Sequence, residues 1–263
     1  MQSFLSSRFA PRALSSCRRC ASEGVEPGGM HDLAALNEEI VSCTRCPRLI
    51  EHCRRVAELK RAAYREHVYW GRPVPNFGDP EARVLLVGLA PGAHGGNRTG
   101  RIFTGDRSGD FLFRALFEAG FASQPVSVSR DDGMKLQDAY ITAVAHCAPP
   151  ANKPNPEEIR NCRPFFARTL DRLPRLRVIV ALGKTAYDAC VRELARPGER
   201  GLPFSHGAEV LLGGKWLLAS YHPSQQNTFT GKLTPQMLLD VLLRARDLAE
   251  ATGFAQVGSV PCR

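Results

Sequence analysis

The stretch RVLLVGLAPGAHGGNRTGRIFTGDRSG, residues 83–109, opens on a short apolar run that ends in glycine at position 88. A run of that length bounded by turn residues has the pattern of a strand buried on both faces. A glycine-rich loop follows, then a helical pattern over 108–119 that stops at Gly120. The unit recurs downstream. Residues 139–145 read as a second strand, followed by a proline-rich loop and a helix opening at Pro156. RVIVALG, 177–183, reads as a third strand and leads into a helical segment at 184–196. Segments 209–212 and 215–221 form a hairpin-like pair, and Thr234 with Pro235 is a cap followed by proline at the first helical position. Strands alternating with helices predict an α/β fold, its central parallel sheet covered by helices on both faces. Ligands of such sheets bind outside the carboxyl ends of the strands. Segments 88–110, 146–156 and 222–232 all fall there.

Composition sets the outer bounds. The chain has 263 residues, 43% of them hydrophobic and 23% charged, which excludes a fibrous or wholly disordered protein. No stretch approaches the roughly 18 apolar residues of a membrane span. The net charge of +9 favours a polyanionic partner, although charge alone equally describes any basic protein. Residues 1–30 carry Arg8, Arg12, Arg18 and Arg19 with no acid before Glu23. They read either as a mitochondrial presequence or as an overextended start ahead of Met30. One domain is expected over 31–252, with a tail at 253–263. A cytoplasmic, nucleoid-associated protein is expected, or a mitochondrial one if the presequence is genuine. It is expected to be a monomer.

Nine cysteines without a secretory signal favour metal binding over disulfides. Cys43 and Cys46 form a CxxC. Cys147 and Cys162 follow about a hundred residues later, each near prolines. Four thiolates suit zinc or iron–sulfur, and the spacing leaves that choice open. A redox CxxC would sit after a strand and at a helix start, whereas this one follows helix-like sequence. Cys53 and Cys190 lie in apolar helical patterns and read as core residues, and the second CxxC, Cys17 and Cys20, as coincidence.

The 88–109 loop holds seven glycines and three arginines, so its backbone can approach a ligand and offer N–H groups to anions. It fits neither GxxxxGK[ST] nor GxGxxG, and Gly183-Lys184-Thr185 reads as a strand-to-helix turn. Asp106 is the loop's one carboxylate, either a helix cap or a reacting group. Phe103 is either a core plug or a stacking platform for a planar ligand. His222, at a strand end in HPS, is a candidate acid or electrostatic group.

Together, GLAPGAHGGNRTGRIFTGD (88–106), HCAPPANKPNPEEIRNC (146–162), HPSQQNTFTGKLT (222–234) and CTRCP (43–47) resemble the uracil-DNA glycosylase superfamily, specifically its iron–sulfur-containing family 5. The resemblance covers the chain from about residue 31 onward. It implies a three-layer α/β/α fold, with a 4Fe-4S cluster on Cys43, Cys46, Cys147 and Cys162 near the amino-terminal helix. It implies Asp106, Asn152 and His222 as the catalytic set. Gly88, Ala90, His94, Phe103, Gln225 and Gln226 would contact the substrate, Phe103 by stacking on a flipped base. The implied partner is DNA containing uracil or another damaged base. The family-4 pattern would place Asn four residues before the third cysteine, where this chain has Ala143. Without that pyrimidine-reading amide, tolerance of hypoxanthine or hydroxymethyluracil is expected. Basic residues between 45 and 65 (Arg45, Arg48, Arg54, Arg55, Lys60, Arg61 and Arg65) would grip phosphates, or else form a solvated helix face. The competing readings are a non-catalytic iron–sulfur module that binds nucleic acid and an iron–sulfur redox protein.

Overall fold

The computed structural model describes residues 29–251. The elements run in the order α1 (Gly29–Val41), α2 (Pro47–Leu59), β1 (Phe77–Gly78), β2 (Val84–Gly88), α3 (Gly96–Thr99), α4 (Arg107–Glu118), β3 (Ala139–Ala143) and α5 (Pro156–Asp171). After them come β4 (Val178–Leu182), α6 (Lys184–Leu194), β5 (Glu209–Leu212), β6 (Lys215–Ser220), α7 (Gln225–Phe229) and α8 (Pro235–Glu250). Helix α1 begins two residues before the expected domain start. The presequence reading, Cys17, Cys20, Cys262 and the 253–263 tail lie outside the described residues. Among the described residues no helix is long and apolar enough to cross a membrane.

The six strands are ordered β1-β3-β2-β4-β6-β5. The four central strands are parallel, but both edges are antiparallel, so the sheet is mixed rather than the parallel sheet expected. Local chemistry explains each edge. Gly213 and Gly214, at φ 58° and 79°, make a two-residue connection between β5 and β6, which forces a hairpin. Strand β1 pairs only Phe77 and Gly78 with β3, too short a segment to carry any periodicity.

Alternation along the strands divides the core. Val84 and Leu86 of β2 face one cluster with Ile141, Val178 and Val180, covered by α4 and α8. Leu85 and Val87 face the other with Tyr140, Ile179 and Ala181, against α1, α5 and α6. Burial on both faces is why these strands read as unbroken apolar runs. From β2 the chain passes to β3 on one side, and from β4 to β6 on the other. The switch point therefore lies between the carboxyl ends of β2 and β4, where a sheet of this kind leaves a crevice.

Candidate active site

Strand β2 ends at Gly88, and the missing side chain there has a use. A methyl on Gly88 would come 2.8 Å from Cε2 and Cζ of Phe103, whose ring lies across the strand end. Phe103 has φ 53°, a left-handed conformation that strains a bulky residue by roughly 1–3 kcal/mol. Packing holds it: the ring is only 9% exposed and belongs to the core on the α4–α8 face. Gly109 closes the turn, since a methyl there would strike the Phe103 carbonyl.

Asp106 divides its two oxygens. Oδ1 caps α4 by accepting the Gly109 N–H at 2.9 Å. Oδ2 lies over the turn that Gly95 N–H closes onto the Gly92 carbonyl at 3.2 Å. A methyl on Gly92 would sit 2.7 Å from Oδ2, and one on Gly95 would collide with the carboxylate. Burial raises the acid's pKa, the Gly109 N–H opposes that rise, and nearby Asp110 adds to it. One oxygen of Asp106 is thus spent on the cap, and the other lies free of it over the loop.

His222 stands beyond the end of β6, its ring centre 5.9 Å from that of Phe103 and tilted by 34°. Gly183, at φ 96° after β4, makes room, since a methyl there would come 3.2 Å from His222 Cβ. Asn227 Nδ2 donates to the His222 carbonyl at 2.8 Å and fixes the backbone of HPS. Desolvation pushes the His222 pKa down to about 4, so the imidazole is neutral near pH 7. Sequence reasoning passed over Gly92, Gly95, Gly183 and Asn227. Glycine density was the one signal for the first two.

The remaining expected contacts are spread along the same edge. Ala90 and His94 are half-buried in the loop, with His94 Nδ1 at 3.0 Å from the Tyr69 hydroxyl. Burial lowers the His94 pKa, helped by Arg61 and Arg98. Gln225 and Gln226 are exposed on α7. Ala151 and Asn152 both adopt left-handed φ, 52° and 56°, in the loop after β3. Among the described residues, no hydrogen bond or ring contact joins the exposed Asn152 side chain to Asp106, Phe103 or His222.

The four expected cysteines do meet. Cys43, Cys46, Cys147 and Cys162 line one cavity together with His146, Asn161 and Phe165. Asn161 Nδ2 donates to Cys46 Sγ at 3.5 Å, and the His146 backbone N–H points to the Cys162 sulfur. Burial raises the Cys46 thiol and pushes Cys162 up to about 11, with neighbouring thiols adding to both. Cys147 is raised too, first by a hydrogen bond with the Cys53 thiol and then by burial. Four bare thiolates are therefore disfavoured here, and a soft cationic centre that neutralises them suits the donor set. The sulfurs line a cavity rather than a point. Among the described residues no group of three or more His, Cys, Asp or Glu closes around a single-ion position. His146 donates from Nδ1 to the Val74 carbonyl at 2.8 Å, and its buried Nε2 has no partner.

Three readings of this region change. The CxxC lies between two helices, and Cys46 is the residue that precedes α2, so it does stand at a helix start. Cys53 is buried as expected, but beside Cys147 and Ala148 rather than in either main core. Arg45 and Arg48 stay exposed, but both are engaged by the protein's own groups. Arg48 makes a two-pronged pair with Glu158, 2.7 Å on each arm, and reaches the Lys153 carbonyl at 3.4 Å. Arg45 lies 4.9 Å over the Phe165 ring. These contacts tie α2 to the start of α5 and to the Asn152 loop.

Comparison with known proteins gives the family. The family model of the uracil DNA glycosylase superfamily matches residues 75–246. A type-5 uracil-DNA glycosylase of Thermus thermophilus is 53% identical over 221 residues, covering 83% of this chain and 99% of the relative. Type-5 uracil-DNA glycosylases of Pyrobaculum aerophilum and Mycobacterium bovis are 49% and 47% identical, over 78% and 84% of this chain and 88% and 84% of their own.

Proposed function

The chain belongs to the uracil-DNA glycosylase superfamily, in its type-5 branch, and from that premise we propose how its residues divide the work. It is a uracil-DNA glycosylase of base excision repair, hydrolysing the N-glycosidic bond of uracil in DNA. The observation that carries the site assignment is Phe103 beside His222, with Asp106 three residues on in the same loop, each packed against a glycine whose side chain would exclude it.

A base inside a duplex is out of reach, so the nucleotide must flip into the crevice between β2 and β4. Phe103 holds the base by its face, with Gly88, Ala90 and His94 beside it. Gln225 and Gln226, exposed on α7, fill the gap left in the stack. As the bond breaks, the sugar becomes cation-like and the base anionic. Neutral His222 donates a hydrogen bond to the charge growing on the base, a role its low pKa favours. Asp106 faces the sugar cation or activates water, and Asn152 orients that water. Ala143, buried at the end of β3, offers no amide to read the pyrimidine edge. Other deaminated bases are therefore substrates too.

Cys43, Cys46, Cys147 and Cys162 would hold a 4Fe-4S cluster, which supplies a covalent tie between helices and no reacting group. The expected domain, 31–252, acts as a monomer on its lesion. Uracil release from duplex DNA by wild type, Asp106→Ala and His222→Ala tests the assignment. Losses of about 10²–10⁴-fold are expected for Asp106→Ala and about 10²–10³-fold for His222→Ala. Undiminished release by both variants would refute it. Hypoxanthine release by the wild type tests the breadth of the pocket.

A further inference from the structure

The outer side of the catalytic loop carries a second concave surface, between residues 67–72 and 128–131. Residues next to both walls are fastened to one residue of that loop. Arg98 Nη2 donates to the Gly105 carbonyl at 2.6 Å, and the Gly105 N–H donates to the Ser127 carbonyl at 3.0 Å. Gly105 immediately precedes Asp106, so the groove begins where the reaction site ends.

Trp70 forms its floor and is fixed on several sides. Its Nε1–H donates to the Pro73 carbonyl at 2.9 Å, and its backbone N–H to the Arg98 carbonyl at 3.0 Å. The indole lies against Gly100, where a methyl would come within 2.9 Å. Over this platform stand two exposed guanidinium groups, Arg72 at 3.9 Å from the ring centre and Arg130 at 4.8 Å. Arg98, only 6% exposed, adds a third cation behind them, with Nη1 at 3.1 Å from His67 Nδ1. Among the described residues, the one carboxylate paired with any of the three is Asp131. It sits 3.8 Å from Arg130 Nε and is itself 87% exposed. Like charges gathered on a rigid aromatic floor repel until an anion comes between them. Two guanidinium forks suit the oxygens of a phosphate better than a point charge would.

We propose that this groove holds the phosphodiester backbone of the DNA strand flanking the excised nucleotide. Arg72 and Arg130 grip the phosphates, and Trp70 orders the two arginines instead of stacking on a base. The inference rests on the glycosylase reading for the identity of the strand. The two gripping arginines lie outside the reacting loops.

The test is the salt dependence of binding to a uracil-containing duplex that extends well beyond the lesion. Losing two phosphate contacts in an Arg72→Ala, Arg130→Ala double variant lowers the slope of log K against log salt by about 1.8. Between about 50 and 200 mM salt, the wild type then loses about 12-fold more affinity than the variant. The Arg72→Lys, Arg130→Lys pair keeps most of the slope. On a short oligonucleotide ending beside the uracil, wild type and the alanine pair bind alike. Slopes are compared between proteins with matching thermal unfolding, and the glutamine pair replaces alanine if alanine does not fold. An unchanged slope on the long duplex overturns the proposal. Uracil release by the wild type is measured alongside: its absence would defeat the glycosylase reading, while the slope still reports on the groove.

Discussion

The catalytic loop and the thiol-lined cavity lie on one molecule but are built by opposite means. In the loop, side chains are removed: Gly88, Gly92, Gly95 and Gly109 each leave a space that Phe103 or Asp106 occupies. At the cavity, side chains are brought together from three separate places, the turn between α1 and α2, the strand exit at Cys147, and α5. The loop is closed by its own hydrogen bonds, from Gly95 to Gly92 and from Gly109 to Asp106. At the cavity, burial raises the pKa of Cys46 and Cys162, and the Cys53 thiol together with burial raises that of Cys147, which disfavours their thiolates in the absence of a cationic guest. A site made by subtraction is held by contacts already in place, among them Gly105 to Ser127 and Asn97 to Cys53, whereas a site made by convergence depends on what fills it.

That contrast can be broken most severely at Gly95. A Gly95→Ala variant pushes a methyl into the Asp106 carboxylate. Displacing a reacting group by about 1 Å costs on the order of 10²-fold in rate. Single-turnover uracil release is the readout, with iron content unchanged. Full activity would mean that Oδ2 is not the working oxygen. Next comes Cys147→Ser, which should lose iron and lower the melting temperature while the Asp106 cap persists. Retention of full iron content and full activity would contradict the assignment.

A smaller effect is expected at Glu158, which accepts the Asn155 N–H at 2.6 Å and receives Arg48. Glu158→Ala removes a helix-start cap, a loss of about 0.5–2 kcal/mol, seen as a drop of about 1–8 °C in Tm. The Arg48 arm adds little in water because that guanidinium is half-exposed. Its hydrogen bond still holds the Glu158 carboxyl below the ordinary carboxylate range. The stabilisation is therefore complete above the ordinary carboxylate pKa and fades as pH falls through the depressed one. His222 shifts stability in the same direction by a different route. Its folded pKa of about 4 lies below the usual imidazole value, so acid protonates the unfolded chain first. Stability falls from about pH 6.5 down to about pH 4, and His222→Ala removes that part of the decline. A Tm-against-pH curve with the same acid slope in wild type and variant would contradict it.

Much of the frame was legible from residues alone. RVLLVGL and RVIVALG announce strands because both faces are buried, and the Thr234–Pro235 pair announces α8 because capping is local chemistry. The four cysteines and their meeting were expected from the family resemblance, but the contacts that bring α5 against α2, such as Arg48 to Glu158, were not. Strand β1 was missed because two residues carry no period. The internal contacts of Arg45 and Arg48 were missed because the sequence of an exposed arginine does not say whether it also reaches Phe165 or a buried Glu158. Asn152 could be named from its loop, yet its left-handed backbone comes from the turn at 150–152, which the proline-rich sequence does not announce.

The central claim is that one wall of the site hangs on the thiol cavity while the glycine loop is held by contacts that do not need the cavity filled. Amide hydrogen exchange tests it directly, compared at 147–155 and at 88–106 before and after iron is stripped from the folded protein. The account predicts that protection is lost at 147–155 and kept at 88–106. Equal loss in both segments, or no change in either, would contradict it.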